Sequence, residues 1–581
     1  MVPILRLAAC LALSVPLLAA AGPQDAKTER QTQFGPIVGS DETSTNGTYS
    51  WKGVPFAAPP VGNLRWAPPV DPVAWTTTKE TKTFGNACVQ YGRIYGPGAN
   101  NRFDATIGTT LNQAVGNEDC LYLNIWRPSN QRTELPVIVF VHGGSNVSGY
   151  TADPVYDGAA LAKTAQAVVV TVNYRLGIFG FLNQPFLKTG DPANDSGNFA
   201  LLDIIKGLEF VQQNAREFGG NPNSVTLMGQ SAGAINVWAL IASPLVQQHQ
   251  PQLFHRLAPM SGGMSMATDL PAGSIPTLSP ESTYALQGNA LLQQQLIAAG
   301  KATDVASANT WIAANGAAQA ATFLRSQTPS SLLNTLLFRL AALGLAGSGP
   351  IPDGYVLSSG PVNAIKAGNY LHVPVLASNT RDEGKLFPSF LPLVGGSGNA
   401  RKVTDAQLFD IQFHTDPEHA QTTTLQDWIT ASYLPVDAPV TGFTARADLL
   451  NRVFFLRSRD NIMDALKTRQ QDVWYYRFDW DEEPAPWNDI YGAAHLYDLP
   501  FIFGTFGPSV FGNVSFDKAN APGRIELSKA MMRSLSAFAR NGDPNAPDAL
   551  GVNWPTWPGA LVYDATRTEK AISTRPNIKL E

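Results

Sequence analysis

The sequence feature that most constrains the fold is a Gly-x-Ser-x-Gly pentapeptide centred on Ser231. β-Favouring and apolar residues lead into it over 225–228, and a stretch with helical character follows over 234–240. A strand, a sharp turn and a helix are the context in which this pattern forms a nucleophile elbow. The turn brings strand and helix so close that Gly229 and Gly233 must lack side chains, while the serine is strained and exposed. The stretch therefore predicts a strand that ends in a reactive serine.

Further sheet strands are predicted on both sides of this turn. Residues 135–141 and 167–173 are nearly continuous apolar runs, as expected for strands buried on both faces. An amphipathic helix from 197 to about 218 connects the second run to the serine strand, which makes a parallel βαβ unit. The sheet pattern returns at 373–379 and at 472–478. We therefore predict an α/β fold with a large, mostly parallel sheet and a site at the carboxyl ends of its strands.

The N-terminus has the pattern of a secretory signal over residues 1–21. Arg6 supplies the positive charge, an apolar run follows over 7–18, and three alanines form a small-residue cleavage site. The apolar run is too short to span a bilayer, and no later run is long enough. We expect an exported protein with no stable membrane anchor, whose residues 22–581 form one domain because no linker, charge block or repeat divides them.

The net charge limits the kinds of partner that the protein can bind, and the cysteine content indicates the compartment in which it folds. The formal net charge of -5 becomes -6 when the signal leaves with its one arginine, which argues against a nucleic-acid partner. Cys10 leaves with the signal, so Cys88 and Cys120 remain. Two cysteines in an exported chain most simply form one disulfide.

A serine hydroxyl is a poor nucleophile unless a base lies beside it, and histidine is the usual base. Among the seven histidines, His495 follows the last predicted sheet strand in a Gly/Ala-rich loop, and it fits the chain order nucleophile, acid, histidine. The acid that orients the imidazole could be Asp353, Asp382 or Glu383. Glu383 lies just past a buried strand. The pattern alone, however, does not decide whether Glu383 or Asp382 is the acid.

Backbone donors for an oxyanion are predicted at two places. His142, Gly143 and Gly144 follow a strand, and glycines let N–H groups approach a substrate oxygen without interference from Cβ. The N–H of Ala232, directly after the serine, is the expected second contributor.

Taken together, these motifs resemble the type-B carboxylesterase, cholinesterase and lipase family of α/β-hydrolases. Matching stretches run in family order from about residue 33 to Pro555, and they comprise 53–66, 118–124, 142–144, 173–177, 229–234, 382–384 and 492–497. The resemblance implies Ser231 as nucleophile, Glu383 as acid and His495 as base, with no cofactor and no metal. It also implies the disulfide between Cys88 and Cys120.

The chain departs from the family pattern at three places. The family usually has His/Tyr-Gly-Gly-Gly-Phe, so the donor positions fall here on Gly144 and Ser145, followed by Asn146. Gln230 replaces the glutamate that commonly precedes the serine, which removes a negative charge. The segment between the cysteines contains no tryptophan, where cholinesterases place the aromatic face that holds choline, so we do not expect choline-ester specificity.

A segment of different amino-acid composition, about 264–349, is predicted to be a cap-like insertion. It is rich in Ala, Gln, Leu and Ser, with helical stretches at 284–300 and 331–346. The second is apolar on most faces, which suits either a buried helix or a lid that lines an acyl-binding gorge.

The expected activity is that of a secreted serine hydrolase that cleaves small-molecule or lipid-like carboxylic esters through an acyl-serine. The alternatives are a lipase acting on long-chain acylglycerols and a non-catalytic adhesion or binding module of the same fold. The sequence does not predict an oligomeric state.

Overall fold

The computed structural model describes residues 27–579, and eleven strands among them form one sheet. The predicted signal, residues 1–21, lies outside the described residues. In chain order the strands are β1 Ser40–Glu42, β2 Thr48–Pro55, β3 Tyr122–Pro128, β4 Leu135–Val141, β5 Val168–Val172, β6 Gly220–Gln230, β7 Arg256–Met260, β8 Val375–Thr380, β9 Val473–Phe478, β10 Ala560–Ala565 and β11 Lys570–Arg575.

The sheet is mixed but mostly parallel, as predicted. Its strand order is β11-β10-β9-β8-β7-β6-β4-β5-β3-β2-β1, and β4 to β10 are mutually parallel. The outer strands β1 to β3 and β11 pair antiparallel. Because the central strands are parallel, the loops that follow β4, β6 and β8 meet at one edge, where α/β sheets place their sites.

Helices flank this sheet. The α-helices of seven residues or more are α1 Ala159–Ala165, α2 Phe199–Asn214, α3 Ala232–Ile241, α4 Glu281–Ala298, α5 Val305–Arg325, α6 Pro329–Thr335, α7 Pro361–Ala367, α8 Asp405–His414, α9 Phe443–Leu450, α10 Arg457–Lys467 and α11 Ala521–Asn541. Every residue of β4 and β5 is buried, which explains why Val, Ile, Leu and Phe make up all of both strands except Pro136 and Thr171. The sheet and its helices form the core that fixes the loops of the site.

The predicted insertion contains α4, α5 and α6, which pack on a separate hydrophobic cluster shared with residues outside the insertion, among them Trp66, Phe179 and Phe199. The apolar stretch at 331–346 begins within α6 and continues as a π turn over Leu336–Leu340. Leu332, Leu336 and Leu340 are buried in the cluster, whereas Phe338 on the opposite face is exposed. The leucine-rich stretch therefore buries one face and leaves the other in solvent.

Cys88 and Cys120 are joined in a disulfide, as expected. Within residues 27–579, no helix has both the length and the apolar character needed to cross a bilayer.

Candidate active site

Ser231 occupies the sharp turn between β6 and α3, with φ of 58° and ψ of -125°. L-residues rarely adopt such a conformation, which costs about 1–3 kcal/mol where the surroundings impose it. The surroundings here are close backbone. A Cβ on Gly229 would lie 2.4 Å from the carbonyl oxygen of Gly233, and a Cβ on Gly233 would lie 2.2 Å from that of Val141. The glycines thus allow the approach that the sequence predicted, and the N-terminus of α3 points at the serine.

His495 and Glu383 lie together at the carboxyl edge of the sheet, and both are buried. The Nδ1 of His495 is hydrogen-bonded to Oε2 of Glu383. The other carboxylate oxygen, Oε1, accepts hydrogen bonds from Asn379 Nδ2 at 2.8 Å and from the Thr380 N–H at 3.0 Å. The carboxylate is therefore fixed by three donors, and in the Nδ1–H tautomer Nε2 is the unprotonated nitrogen of the imidazole.

Asp382 points away from His495. Its Oδ2 accepts hydrogen bonds from Arg381 Nη2 at 2.8 Å and from the N–H of Ala493 at 3.0 Å. Its own N–H donates to the Ala493 carbonyl at 2.9 Å. Asp382 thus joins the segment after β8 to the loop that carries His495. Its role is structural, whereas Glu383 is the carboxylate that contacts the imidazole.

Gln230 is the side chain that contacts the other imidazole nitrogen. Its Nε2 lies 3.1 Å from His495 Nε2, where an amide N–H donates to a neutral imidazole. Among the hydrogen bonds of residues 27–579, none joins Ser231 Oγ to His495. The sequence indicated that position 230 lacks the usual charge, but nothing in the pattern showed that its amide reaches the imidazole.

The loop after β4 turns back over the serine with positive φ values at Gly144 (97°), Ser145 (55°) and Asn146 (57°). A Cβ on Gly143 would lie 2.7 Å from Ser231 Cβ, so this loop packs directly against the serine. No acceptor within residues 27–579 takes the backbone N–H of Gly144 or Ser145. Both N–H groups are therefore available to a bound oxygen.

His142 precedes that loop and is not placed to act as a base. It is buried and stacks on Tyr174 with ring centroids 4.7 Å apart. Burial lowers the pKa of His142 to about 4, so its imidazole stays neutral at neutral pH.

A second buried carboxyl lies close behind Glu383. Asp498 accepts a hydrogen bond from Tyr476 OH at 3.0 Å. Burial, and then the charge of Glu383, raise the pKa of Asp498 to about 7. Its place three residues after His495 carried no signal in the sequence, because an isolated Asp in a loop is ordinarily exposed.

A cavity of about 400 Å³ opens beside Ser231, a size typical of small-molecule sites. Its polar lining comprises Gln230, His495 and the loop of 143–149, together with the charged residues Arg93, Asp153, Lys385, Arg401 and Asp405. Its aromatic wall comprises Tyr95, Tyr156, Phe387, Phe390, Trp428, Tyr491 and Phe511. Among the described residues, none from 331–346 lines this cavity. The cavity thus combines an aromatic wall with polar and charged groups, and it has room for a small molecule whose carbonyl group lies near the serine.

Comparison with known proteins agrees with this geometry. The model of the carboxylesterase family matches residues 26–577. Fumonisin B1 esterase of Sphingopyxis macrogoltabida is 32% identical over 92% of this chain and 86% of its own length. Para-nitrobenzyl esterase of Bacillus subtilis is 29% identical over 90% of this chain and 92% of its own length. A solved PNB esterase structure has a TM-score of 0.68, is 26% identical, and covers 95% of this chain and 98% of its own.

The fold and the site together define an α/β-hydrolase. The chain belongs to the carboxylesterase family, and it is a carboxylic-ester hydrolase whose substrates are small-molecule esters. The alternative of a non-catalytic binding module is therefore set aside.

Proposed function

We propose that the ester is cleaved through an acyl-enzyme on Ser231, with His495 as general base and Glu383 as the acid that orients it. The oxyanion donors are the N–H groups of Gly144, Ser145 and Ala232. The observation that carries this proposal is the hydrogen bond from His495 Nδ1 to Glu383, made beside a serine in a strained turn at the wall of a cavity.

In this mechanism the bound ester brings its carbonyl carbon over Ser231 Oγ, and the hydroxyl replaces the Gln230 amide at Nε2 of His495. The imidazole takes the proton as Oγ attacks, and Glu383 stabilises the cation that forms. The backbone N–H groups stabilise the tetrahedral oxyanion, where each donor typically contributes about 2.7–4 kcal/mol. His495 then protonates the leaving alcohol, and water repeats the steps to release the acid.

The test is activity on p-nitrophenyl butyrate together with labelling by a fluorophosphonate. We expect Ser231→Ala to lose both turnover and label, and His495→Ala to lose turnover by at least about 10³-fold. Glu383→Gln is expected to fold and to lose less turnover than His495→Ala. Asp382→Asn should keep most of kcat, provided that the contact with Ala493 is retained. Full activity of Ser231→Ala would refute the acyl-serine route.

The substrate we propose is an ester of moderate size with an apolar acyl or alcohol group. A cavity of about 400 Å³ with an aromatic wall supports this choice, as do relatives named for fumonisin and para-nitrobenzyl esters. Phe390 lines the cavity and is 42% exposed, which keeps the lipase alternative open. Rates on p-nitrophenyl esters of increasing chain length, compared with emulsified triglyceride, decide between the two. A rate that rises at the lipid interface would favour the lipase.

We also propose that the protein is exported after cleavage of residues 1–21. The charge and apolar pattern of the N-terminus support this, and the Cys88–Cys120 disulfide suits an oxidising compartment. N-terminal sequencing of the exported protein should begin near Gly22, and a mature chain that retains Met1 would contradict the proposal.

A further inference from the structure

Asn146 links the loop that carries the proposed oxyanion donors to the helix that follows Ser231. Its side chain is buried, as is that of Asn236 in α3. Asn146 Nδ2 donates to Asn236 Oδ1 at 3.3 Å, and Asn236 Nδ2 donates back to Asn146 Oδ1 at 2.8 Å. The paired amides tie the loop to α3 within two turns of the serine.

Three other segments meet the loop at Asn146. Tyr174 OH lies 3.2 Å from Asn146 Oδ1 and donates to the His142 carbonyl at 2.8 Å. The backbone carbonyl of Asn146 accepts the N–H of Gly177 at 2.6 Å and the hydroxyl of Ser348 at 3.0 Å. Asn146 therefore fixes the middle of the loop to the rest of the molecule, while Gln90 holds its end through two hydrogen bonds with Gly149.

The loop needs such restraint because Ser145 and Asn146 both have positive φ. Residues with a Cβ seldom adopt that region, so their conformation persists only where neighbours impose it. Oxyanion donors must lie about 2.7–3.1 Å from the developing charge. A misplacement of about 1 Å in a reacting geometry can cost about 10²-fold in rate.

We infer that the Asn146–Asn236 amide pair is a positioning element of the oxyanion hole. It holds the N–H groups of Gly144 and Ser145 in register with that of Ala232, which begins the same helix as Asn236. Ser145 and Asn146 hold positive φ without the conformational freedom of glycine, so the pair supplies an external restraint on the loop. The inference rests on the proposed function.

The test compares Asn146→Ala, Asn236→Ala and the double variant in the full-length protein. On p-nitrophenyl butyrate we expect kcat to fall at least 10-fold while KM stays within about 3-fold, because the donors act mainly in the transition state. The inhibition constant of a trifluoromethyl ketone should rise by the factor that kcat/KM loses. The double variant should be no worse than the poorer single variant, because all three break one pair.

Asn214→Ala is the matched control. Asn214 is equally buried and makes two hydrogen bonds, to the Gln33 N–H at 2.9 Å and the Phe210 carbonyl at 2.8 Å. It ends α2 at the amino edge of the sheet, away from Ser231. We expect Asn214→Ala to lower the melting temperature and to keep kcat.

If the alanine variants lower the melting temperature as Asn214→Ala does but keep wild-type kcat and ketone inhibition, the inference is wrong. Should they fail to fold, Asn146→Ser and Asn236→Ser are judged by the same criteria. Inactive Ser231→Ala beside fully active Asn146→Ala would refute this inference alone, whereas active Ser231→Ala would refute the proposed function itself.

Discussion

Among individual side chains, Gln230 gives this site its particular chemistry. Its amide N–H donates a hydrogen bond to Nε2 of His495, and when the amide turns about its last bond its carbonyl oxygen accepts a hydrogen bond from the imidazolium instead. An ionised glutamate at this position could only accept hydrogen bonds, and it would place a negative charge beside the imidazole. The amide therefore partners both protonation states of His495 without favouring either through charge.

We predict that Gln230→Glu moves the acidic limb of the kcat/KM pH profile upward by about one unit. A carboxylate about 3 Å from Nε2 stabilises the imidazolium, so the neutral base needed for attack appears only at higher pH. The measurement is kcat/KM on p-nitrophenyl butyrate from pH 5 to 9. Gln230→Met introduces a neutral side chain of similar length. It should leave the acidic limb of the kcat/KM profile at the same pH, even if the maximum value of kcat/KM changes. An unshifted limb in Gln230→Glu would contradict the geometry at Nε2.

Among secondary-structure elements, the contact of α3 with β4 and β6 determines how the serine is presented. Gly233, the second residue of the helix, lies directly against backbone. The carbonyl oxygens of Val141 and His142 are 2.2 and 2.6 Å from where its Cβ would stand. These backbone atoms cannot avoid a new Cβ by changing rotamer, as a flexible side chain can. The helix would have to move away from the sheet to accept any larger residue.

Gly233→Ala is therefore expected to cost about 1–3 kcal/mol of stability and most of the activity. Moving α3 also moves Ala232 and the serine, so kcat should fall at least about 10²-fold. Thermal melts and turnover of the purified variant measure both effects. Gly507→Ala is the control, because a Cβ there meets open space, and it should leave both unchanged. A Gly233→Ala protein with wild-type turnover would mean that the elbow tolerates displacement.

The sequence predicted the elements with strong local signals and missed those without them. β4, β5, β8 and β9 were predicted within one or two residues because their apolar runs are continuous. β7 was not predicted, since it is five residues long and contains Pro259, a residue rarely found in a central strand. Helix α5 was also missed, because Ala, Ser and Asn give it little apolar periodicity.

For the site, chain order and motif indicated Ser231 and His495, whereas the pattern did not separate Glu383 from Asp382 and only the family resemblance favoured Glu383. The structure brings Glu383 and His495 into contact. The contacts of Gln230 and the Asn146–Asn236 pair join residues 265 and 90 positions apart, which no local pattern encodes.

Across the molecule as a whole, several carboxyl groups are buried with raised pKa. Burial raises the pKa of Asp153 to about 6 and is also the main cause that raises the pKa of Asp498 to about 7. A carboxyl whose folded pKa lies above its unfolded value stabilises the fold below the unfolded value, and this contribution is lost as pH rises through the folded value. We therefore expect the free energy of unfolding to decline between about pH 4 and pH 7 through these groups.

Asp498→Asn tests this expectation, because asparagine does not titrate. Between pH 4 and pH 8 the variant should lose less stability than the wild type, by up to about 4 kcal/mol. Urea unfolding at a series of pH values measures the difference. Asp437→Asn, at an exposed position, should follow the wild-type slope. Parallel curves for wild type and Asp498→Asn would show that this carboxyl does not titrate in the interval.

Asn146 also bears on the yield of active protein from cells that attach sugar to secreted chains. Followed by Val147 and Ser148, it forms an acceptor sequence for asparagine-linked sugar. The sugar is attached while the chain is still entering the secretory compartment, and its bulk would occupy the space where Asn236 meets the amide in the finished fold. Active enzyme secreted from yeast should carry no sugar at Asn146, which peptide mass spectrometry would reveal, whereas bacterial cells that lack this modification avoid the loss.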